Sequence, residues 1–155
     1  MIPALEALEL LRAGNRRFAT DASIHASRTG PERRGQLTRG QEPFAVILGC
    51  SDSRAPAELL FDQGLGDLFV IRVAGNIVAS SQVASIEFAV ESFGTRLVVV
   101  LGHSYCGAVR TTIEELGLPL AEQHPNLRSI VDRIRPAVAT LLETDLRGRP
   151  DELMR

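Results

Sequence analysis

The sequence contains no tryptophan, one tyrosine and only two cysteines in 155 residues. Two cysteines exclude a disulfide-stapled miniature fold, and a chain of this length needs no such staples, because it buries about 70% of its unfolded surface. There is no C-x-x-C pair, which leaves a redox protein built on Cys50 and Cys106 without its usual motif. No stretch reaches the ~18 consecutive apolar residues of a membrane span. The opening stretch MIPALEALEL carries two acids where a secretory signal needs a basic start and an apolar core. The expected location is therefore the cytoplasm, where thiols stay reduced. An excess of one charge is missing too: 17 basic and 19 acidic residues give a formal net charge of -2. Neither nucleic acid nor an anionic membrane is expected as a partner. Arg28, Arg33, Arg34 and Arg39 form a loose basic cluster that reads as a solvated linker face. No internal repeat or low-complexity segment is present.

What is there alternates between two patterns. Residues 3–19 read as a helix, with Pro3 suited to a first turn and Leu5, Leu8, Leu11, Asn15 and Phe18 on one face. Residues 21–42 are rich in Gly, Ser, Thr and Arg and read as a long connecting segment. Three short apolar runs follow: FAVILGC (44–50), LFVIRVAG (68–75) and RLVVVLGH (96–103). Continuous apolar runs of this length mark strands covered on both faces. Between the last two runs, Val83, Ile86, Val90 and Phe93 recur at helical spacing, and Gly94 can stop that helix. A further helix is expected after Cys106, ending near Gly117, and another over PNLRSIVDRIRPAVATLLETDL, broken or kinked at Pro136. The closing RPDELMR looks like the start of one more helix. Buried strands alternating with helices predict an α/β fold with a parallel β-sheet core flanked by helices. The expected organisation is an N-terminal helical arm and connecting segment (1–42) and an α/β domain (43–155).

In a parallel sheet all strand C-termini lie along one edge, and ligands bind there. Cys50 ends the first apolar run, His103 ends the third, and Cys106 follows His103 by three residues in HSYC. One turn can aim His103 and Cys106 at the point that Cys50 reaches. Two thiolates and an imidazole suit zinc, and three protein ligands leave a fourth position open for chemistry. Thiolate softness argues against magnesium or calcium. Each piece alone has a plainer reading: a cysteine at a strand end as a small buried hydrophobe, a histidine there as a hydrogen-bonding group. Asp52 and Arg54 stand two apart directly after Cys50. Arg54 can hold Asp52 ionised and orient its carboxylate. Alternatively, Asp52 or Ser53 caps a helix running through APAELLF. His25 and His124 lie in polar stretches and receive no role.

CSDSR followed by GHSYCG resembles the β-class carbonic anhydrases. The resemblance extends to GNRRF (14–18), GQEPF (40–44), FDQGLGDLFVIRVAGN (61–76) and SIEFAV (85–90), covering most of residues 5–116 in order. It implies one zinc ion per chain held by Cys50, His103 and Cys106, with Asp52 and Arg54 as the catalytic dyad. It implies zinc-bound hydroxide attacking carbon dioxide to give bicarbonate and a proton. By position it also implies a substrate pocket around Gln41, Phe69, Ala74, Gly75 and Phe88, the glutamine coming from a partner subunit in a homodimer or dimer of dimers. In the family Asp52 takes two arrangements, one bound to Arg54 and one closed onto the zinc as a fourth ligand.

Three departures from the family stand out. Many relatives carry tyrosine at the position of Phe88. In relatives a further helix and a fourth parallel strand follow the part matched by these 155 residues, so one flank of the third strand is expected to be bare unless another chain or segment covers it. Finally, one subgroup holds inhibitory bicarbonate through a tryptophan three residues before the first zinc cysteine, where this chain has Ile47. Two other functions keep most of the site: a hydrolase of carbon disulfide or carbonyl sulfide, and a catalytically silent zinc-stabilised interaction module.

Overall fold

The structure, a computed structural model, describes residues 2–155, and describes Ala26, Ser27 and Pro150 by their backbone only. The chain runs through α1 (Ala4–Ala19), α2 (Pro31–Gln36), β1 (Ala45–Gly49), α3 (Ala57–Leu60), β2 (Leu68–Arg72), α4 (Ser80–Phe93), β3 (Val98–Leu101), α5 (Gly107–Gly117), α6 (Arg128–Leu142) and α7 (Pro150–Leu153). The three strands form a parallel sheet in the order β2-β1-β3. The expected α/β architecture is therefore present, with each strand near its apolar run. No helix among the described residues is long and apolar enough to cross a membrane.

β1 is the central strand, and all five of its residues are buried. Alternation then sorts its side chains onto two faces. Ala45 and Ile47 pack with Leu11 of α1, Ala57 of α3 and Leu68, backed by Val70, Leu97, Val99 and Leu101. Val46 and Leu48 point the other way, against Ile71 and Ala89, with Phe69, Val73, Ile86 and Phe93 beside them. The cover on this second side comes from α4, which Gly94 ends in the left-handed conformation at φ 64. That cover stops short of β3, where Val98 and Val100 are 40% and 58% exposed. A third cluster around Ile77, Ile134 and Val138 joins α5 and α6 to the end of β2.

Four local expectations are corrected. The face of α1 turned inward carries Ala7, Leu11 and Gly14, whereas Leu5 and Phe18 point outward. Gly14 is the pivot: a Cβ there would lie 1.7 Å from the Phe61 carbonyl oxygen, so α1 sits closer to the body than any side chain permits. The segment 21–42 is not a plain connection, because it winds into α2 and 3-10 turns at His25–Arg28 and Leu37–Arg39. The basic cluster is partly used, since Arg28 and Arg33 both pair with Asp67. Of the two outcomes expected at Pro136 the break does not occur: α6 runs unbroken through it, and apolar anchors on both sides, Ile134 and Val138, hold the helix to α5 despite one missing N–H donor.

The segment is tied down by Asp62, whose carboxylate is buried and accepts from Arg17, Ser23 and the Ile24 N–H. Burial pushes its pKa up, but Ser23, Arg17 and the Ile24 amide outweigh that and hold it at about 2. His25 reaches the Gln63 carbonyl, and His124 pairs with the buried Glu115. Both histidines that lacked a role in the sequence thus fasten loops.

Candidate metal centre

Because the strands are parallel, residues 50, 73 and 102–103 emerge along the same edge of the sheet. Cys50 follows β1 directly, and His103 follows β3 by two residues. Between His103 and Cys106 the chain makes a tight turn in which Tyr105 adopts φ 56, a conformation that L residues rarely take. The Tyr105 N–H is satisfied by the Met154 carbonyl at 2.7 Å. Cys106 then stands at the N-terminal boundary of α5, with no side-chain capping hydrogen bond. One ligand atom from each of Cys50, His103 and Cys106 lies within 4.8 Å of the others. The two sulfurs are 3.9 Å apart and both cysteines are buried and free.

The donor chemistry fits a metal ion. His103 Nδ1 lies 3.0 Å from the Ser104 carbonyl, which can only accept, so Nδ1 carries the proton. Nε2 is left with a lone pair, buried and without a hydrogen-bond partner among the described residues. A buried acceptor without a donor is costly unless something electrophilic sits there. The thiols are prepared unequally. Burial raises the Cys50 pKa, but a ring proton of His103 facing the sulfur in the metal-free protein, the amides of Asp52 and Gly75 and the Cys106 thiol bring it down to about 7; with Nε2 deprotonated, a metal ion would take the place of that proton. Burial pushes the Cys106 thiol up, opposed by the Val109 and Ala108 amides and reinforced by the Cys50 sulfur. Two adjacent sulfurs resist double ionisation unless a cation lies between them. The Gly75 N–H donates to Cys50 Sγ at 3.3 Å. Gly75 has φ 70, and a Cβ there would meet Ile134 and Ala108 at 2.7 and 3.0 Å, so only glycine brings its amide to the sulfur.

Asp52 does not cap a helix. α3 begins at Ala57 after Pro56 and has no side-chain cap. Instead Asp52 Oδ1 accepts from the Arg54 amide (2.9 Å) and Arg54 Nε (3.0 Å), while Oδ2 accepts from Arg54 Nη2 (2.8 Å). This two-pronged contact holds the carboxyl well below its usual range. Arg54 Nη2 also reaches the Tyr105 carbonyl at 3.2 Å, linking the two ligand-bearing loops. Asp52 Oδ2 lies 3.9 Å from His103 Nε2, beside the three donors but not among them.

The remaining residues singled out in the sequence fall in three places. Phe69 and Phe88 stack with Phe93 in an aromatic triangle, with centroids 5.8–6.0 Å apart. Ala74 adjoins Gly75 in the turn after β2. Gln41 lines a separate surface hollow with Arg39, Phe44 and Phe93. One residue escaped the sequence reading altogether. Arg72, the last residue of β2, sends Nε to the Cys50 carbonyl (2.9 Å) and Nη2 to the Asp52 carbonyl (2.6 Å). A charged side chain closing the apolar run LFVIR at the ligand edge was the available signal.

Comparison with known proteins points the same way. A family model described as carbonic anhydrase matches residues 45–154. The chain is 46% identical over 134 residues to a carbonic anhydrase of Mycolicibacterium smegmatis, covering 85% of this chain and 63% of that protein. It is 43% identical over 152 residues to carbonic anhydrase 2 of Mycobacterium tuberculosis, covering 96% of this chain and 68% of that protein. The chain thus spans about two thirds of the length of these relatives. Among solved structures it resembles one of two tetrameric β-carbonic anhydrases from Sordaria macrospora, with TM-score 0.64 and 28% identity over 81% of this chain and 65% of the other. A β-carbonic anhydrase of Aspergillus fumigatus aligns with TM-score 0.58 and 30% identity, over 88% of this chain and 64% of the other.

Proposed function

The chain belongs to the β-class carbonic anhydrase family, and on that premise we propose that it is a zinc lyase that reversibly hydrates carbon dioxide to bicarbonate and a proton. The observation that carries the reading is the buried, unpartnered Nε2 of His103 within a cluster with two free thiols. Cys50, His103 and Cys106 are the residues that would hold the metal, one ion per chain. When bound there, zinc lowers the pKa of a water molecule from about 16 to about 7 and so supplies a nucleophile near neutral pH.

The chain's own residues do the rest. Asp52, held ionised by Arg54, accepts a hydrogen bond at the edge of the donor cluster. A carboxylate that can only accept turns a proton toward itself and leaves the oxygen lone pair facing substrate. Arg54 orients Asp52 and ties its loop to the turn carrying His103 and Cys106. Phe69, Phe88, Ala74 and Gly75 are the residues we assign to the pocket for a small uncharged substrate, Phe69 and Phe88 touching each other at 6.0 Å between ring centroids. Gln41, which in this chain faces a different hollow, acts in the site of a second copy. In functional terms residues 1–42 are the helical arm and connecting segment, and residues 43–155 carry the zinc site.

The test pairs two measurements on the purified protein: zinc per chain, and carbon dioxide hydration. The expected result is close to one zinc and clear hydration activity. Zinc without hydration, but with hydrolysis of carbon disulfide or carbonyl sulfide, would shift the substrate. Zinc with neither activity would leave an interaction module. The same preparation tests assembly: at micromolar concentration a dimer or dimer of dimers is expected by sedimentation, with a two-fold interface, and a monomer contradicts the role given to Gln41.

A further inference from the structure

We propose that Arg72 is a positioning residue for Asp52: by clamping the main chain on both sides of Ser51, it keeps the Asp52 carboxylate turned toward Arg54 and away from the three metal donors. The inference rests on the zinc reading above. Its basis is geometric. Arg72 stands opposite Gly49 in the β1–β2 register, so its base is fixed by the sheet. Its guanidinium donates to the carbonyls of Cys50 and Asp52 at 2.9 and 2.6 Å. The Asp52 carbonyl also accepts the Ala55 amide at 3.0 Å. The backbone from which both Cys50 Sγ and the Asp52 carboxylate project is thereby held to β2.

The contact between Asp52 and Arg54 does not supply that restraint alone. Both residues sit on the same short loop, and the Arg54 side chain is 60% exposed. The two-pronged contact fixes the carboxylate relative to Arg54, but not the loop that carries both residues relative to the sheet. Asp52 Oδ2 lies 3.9 Å from His103 Nε2. A loosened loop therefore lets the carboxylate in among Cys50, His103 and Cys106, where it would occupy the position left open to water. Lysine cannot replace the clamp, because one ammonium does not reproduce a planar fork that serves two carbonyls at once.

The experiment is a double-mutant cycle on the zinc-loaded protein, read by calorimetric binding of azide, a small anion that takes an open zinc position. Arg72→Lys keeps the charge and removes the fork. It is expected to retain zinc and its thermal midpoint, and to weaken azide binding at least fivefold. In an Asp52→Ala background the same change is expected to alter azide binding by less than twofold. Arg72→Met, tested in both backgrounds, gives a second cycle should the lysine variant not fold. Equal azide affinity in wild type and Arg72→Lys overturns the proposal. So does an equal loss in the presence and absence of the Asp52 carboxylate, since Arg72 would then act on the site without Asp52. Wild-type protein that binds no zinc overturns the metal reading and this inference with it, whereas a zinc-loaded wild type with a flat cycle overturns this inference alone.

Discussion

Replacing Cys106 by serine is expected to strip most of the zinc from the protein and to remove carbon dioxide hydration with it. The sulfur of Cys106 is one of only two thiols in the chain, and it lies 3.9 Å from the other. A hydroxyl is a far poorer zinc ligand than a thiolate, because it does not deprotonate readily and offers a harder donor. The substitution is nearly isosteric, and Cys106 packs as a small group at the head of α5. The fold should therefore survive, and the loss should be confined to the metal. Metal affinity should fall by more than the roughly hundredfold that loss of an outer partner of a ligand can cost. The check is zinc per chain together with hydration rate and a thermal melt in excess zinc. Zinc retained at one per chain in both Cys106→Ser and Cys106→Ser/Asp52→Ala would remove Cys106 from the site and with it the three-donor assignment. Asp52, already 3.9 Å from His103 Nε2, is the side chain placed to substitute where only the single variant retains zinc.

The centre of the sheet was legible in the sequence because β1 is buried on both faces and therefore apolar throughout. The ligand edge was legible for the same reason: a parallel sheet places Cys50 and His103 at one end once their strands are identified. What was not legible depended on approach distances that no periodicity encodes. The spacing of Leu5, Leu8, Leu11, Asn15 and Phe18 suggested one face of α1, but Gly14 pulls the helix in on a neighbouring face, with Ala7 and Leu11. Small residues carry no hydrophobic signal, so a close-packed face reads as polar. The segment 21–42 reads as a plain connection because its start is held by Asp62, an acid 39 and 38 residues from Ser23 and Ile24. Arg72 was missed because its partners are carbonyl oxygens, which every residue possesses.

Arg54→Ala is expected to keep its zinc and lose most of its hydration rate. None of the three donors is touched by the change, and the site's sulfurs and imidazole belong to other side chains. What disappears is the pair of contacts from Arg54 Nε and Nη2 to Asp52, and the bridge from Nη2 to the Tyr105 carbonyl. The Arg54 amide still donates to Oδ1, so Asp52 is not released entirely but can rotate about that contact. A preorganised group aimed at reacting atoms is typically worth about a hundredfold or more in rate, which sets the expected loss. Arg54→Lys separates charge from geometry: it restores a cation near Asp52 without the two-pronged hold, and should recover only a minor part of the rate. Asp52→Ala should also keep its zinc, because Asp52 stands outside the three donors. The three variants are compared by zinc content and hydration rate across pH 6 to 9, a window chosen to span ionisation of zinc-activated water near pH 7. If Arg54→Ala loses zinc in proportion to activity, then Asp52 and Arg54 are a brace that keeps Cys50 and the His103–Cys106 turn together. The bridge to Tyr105 would then be their main task, and the orienting role assigned to Arg54 would be wrong.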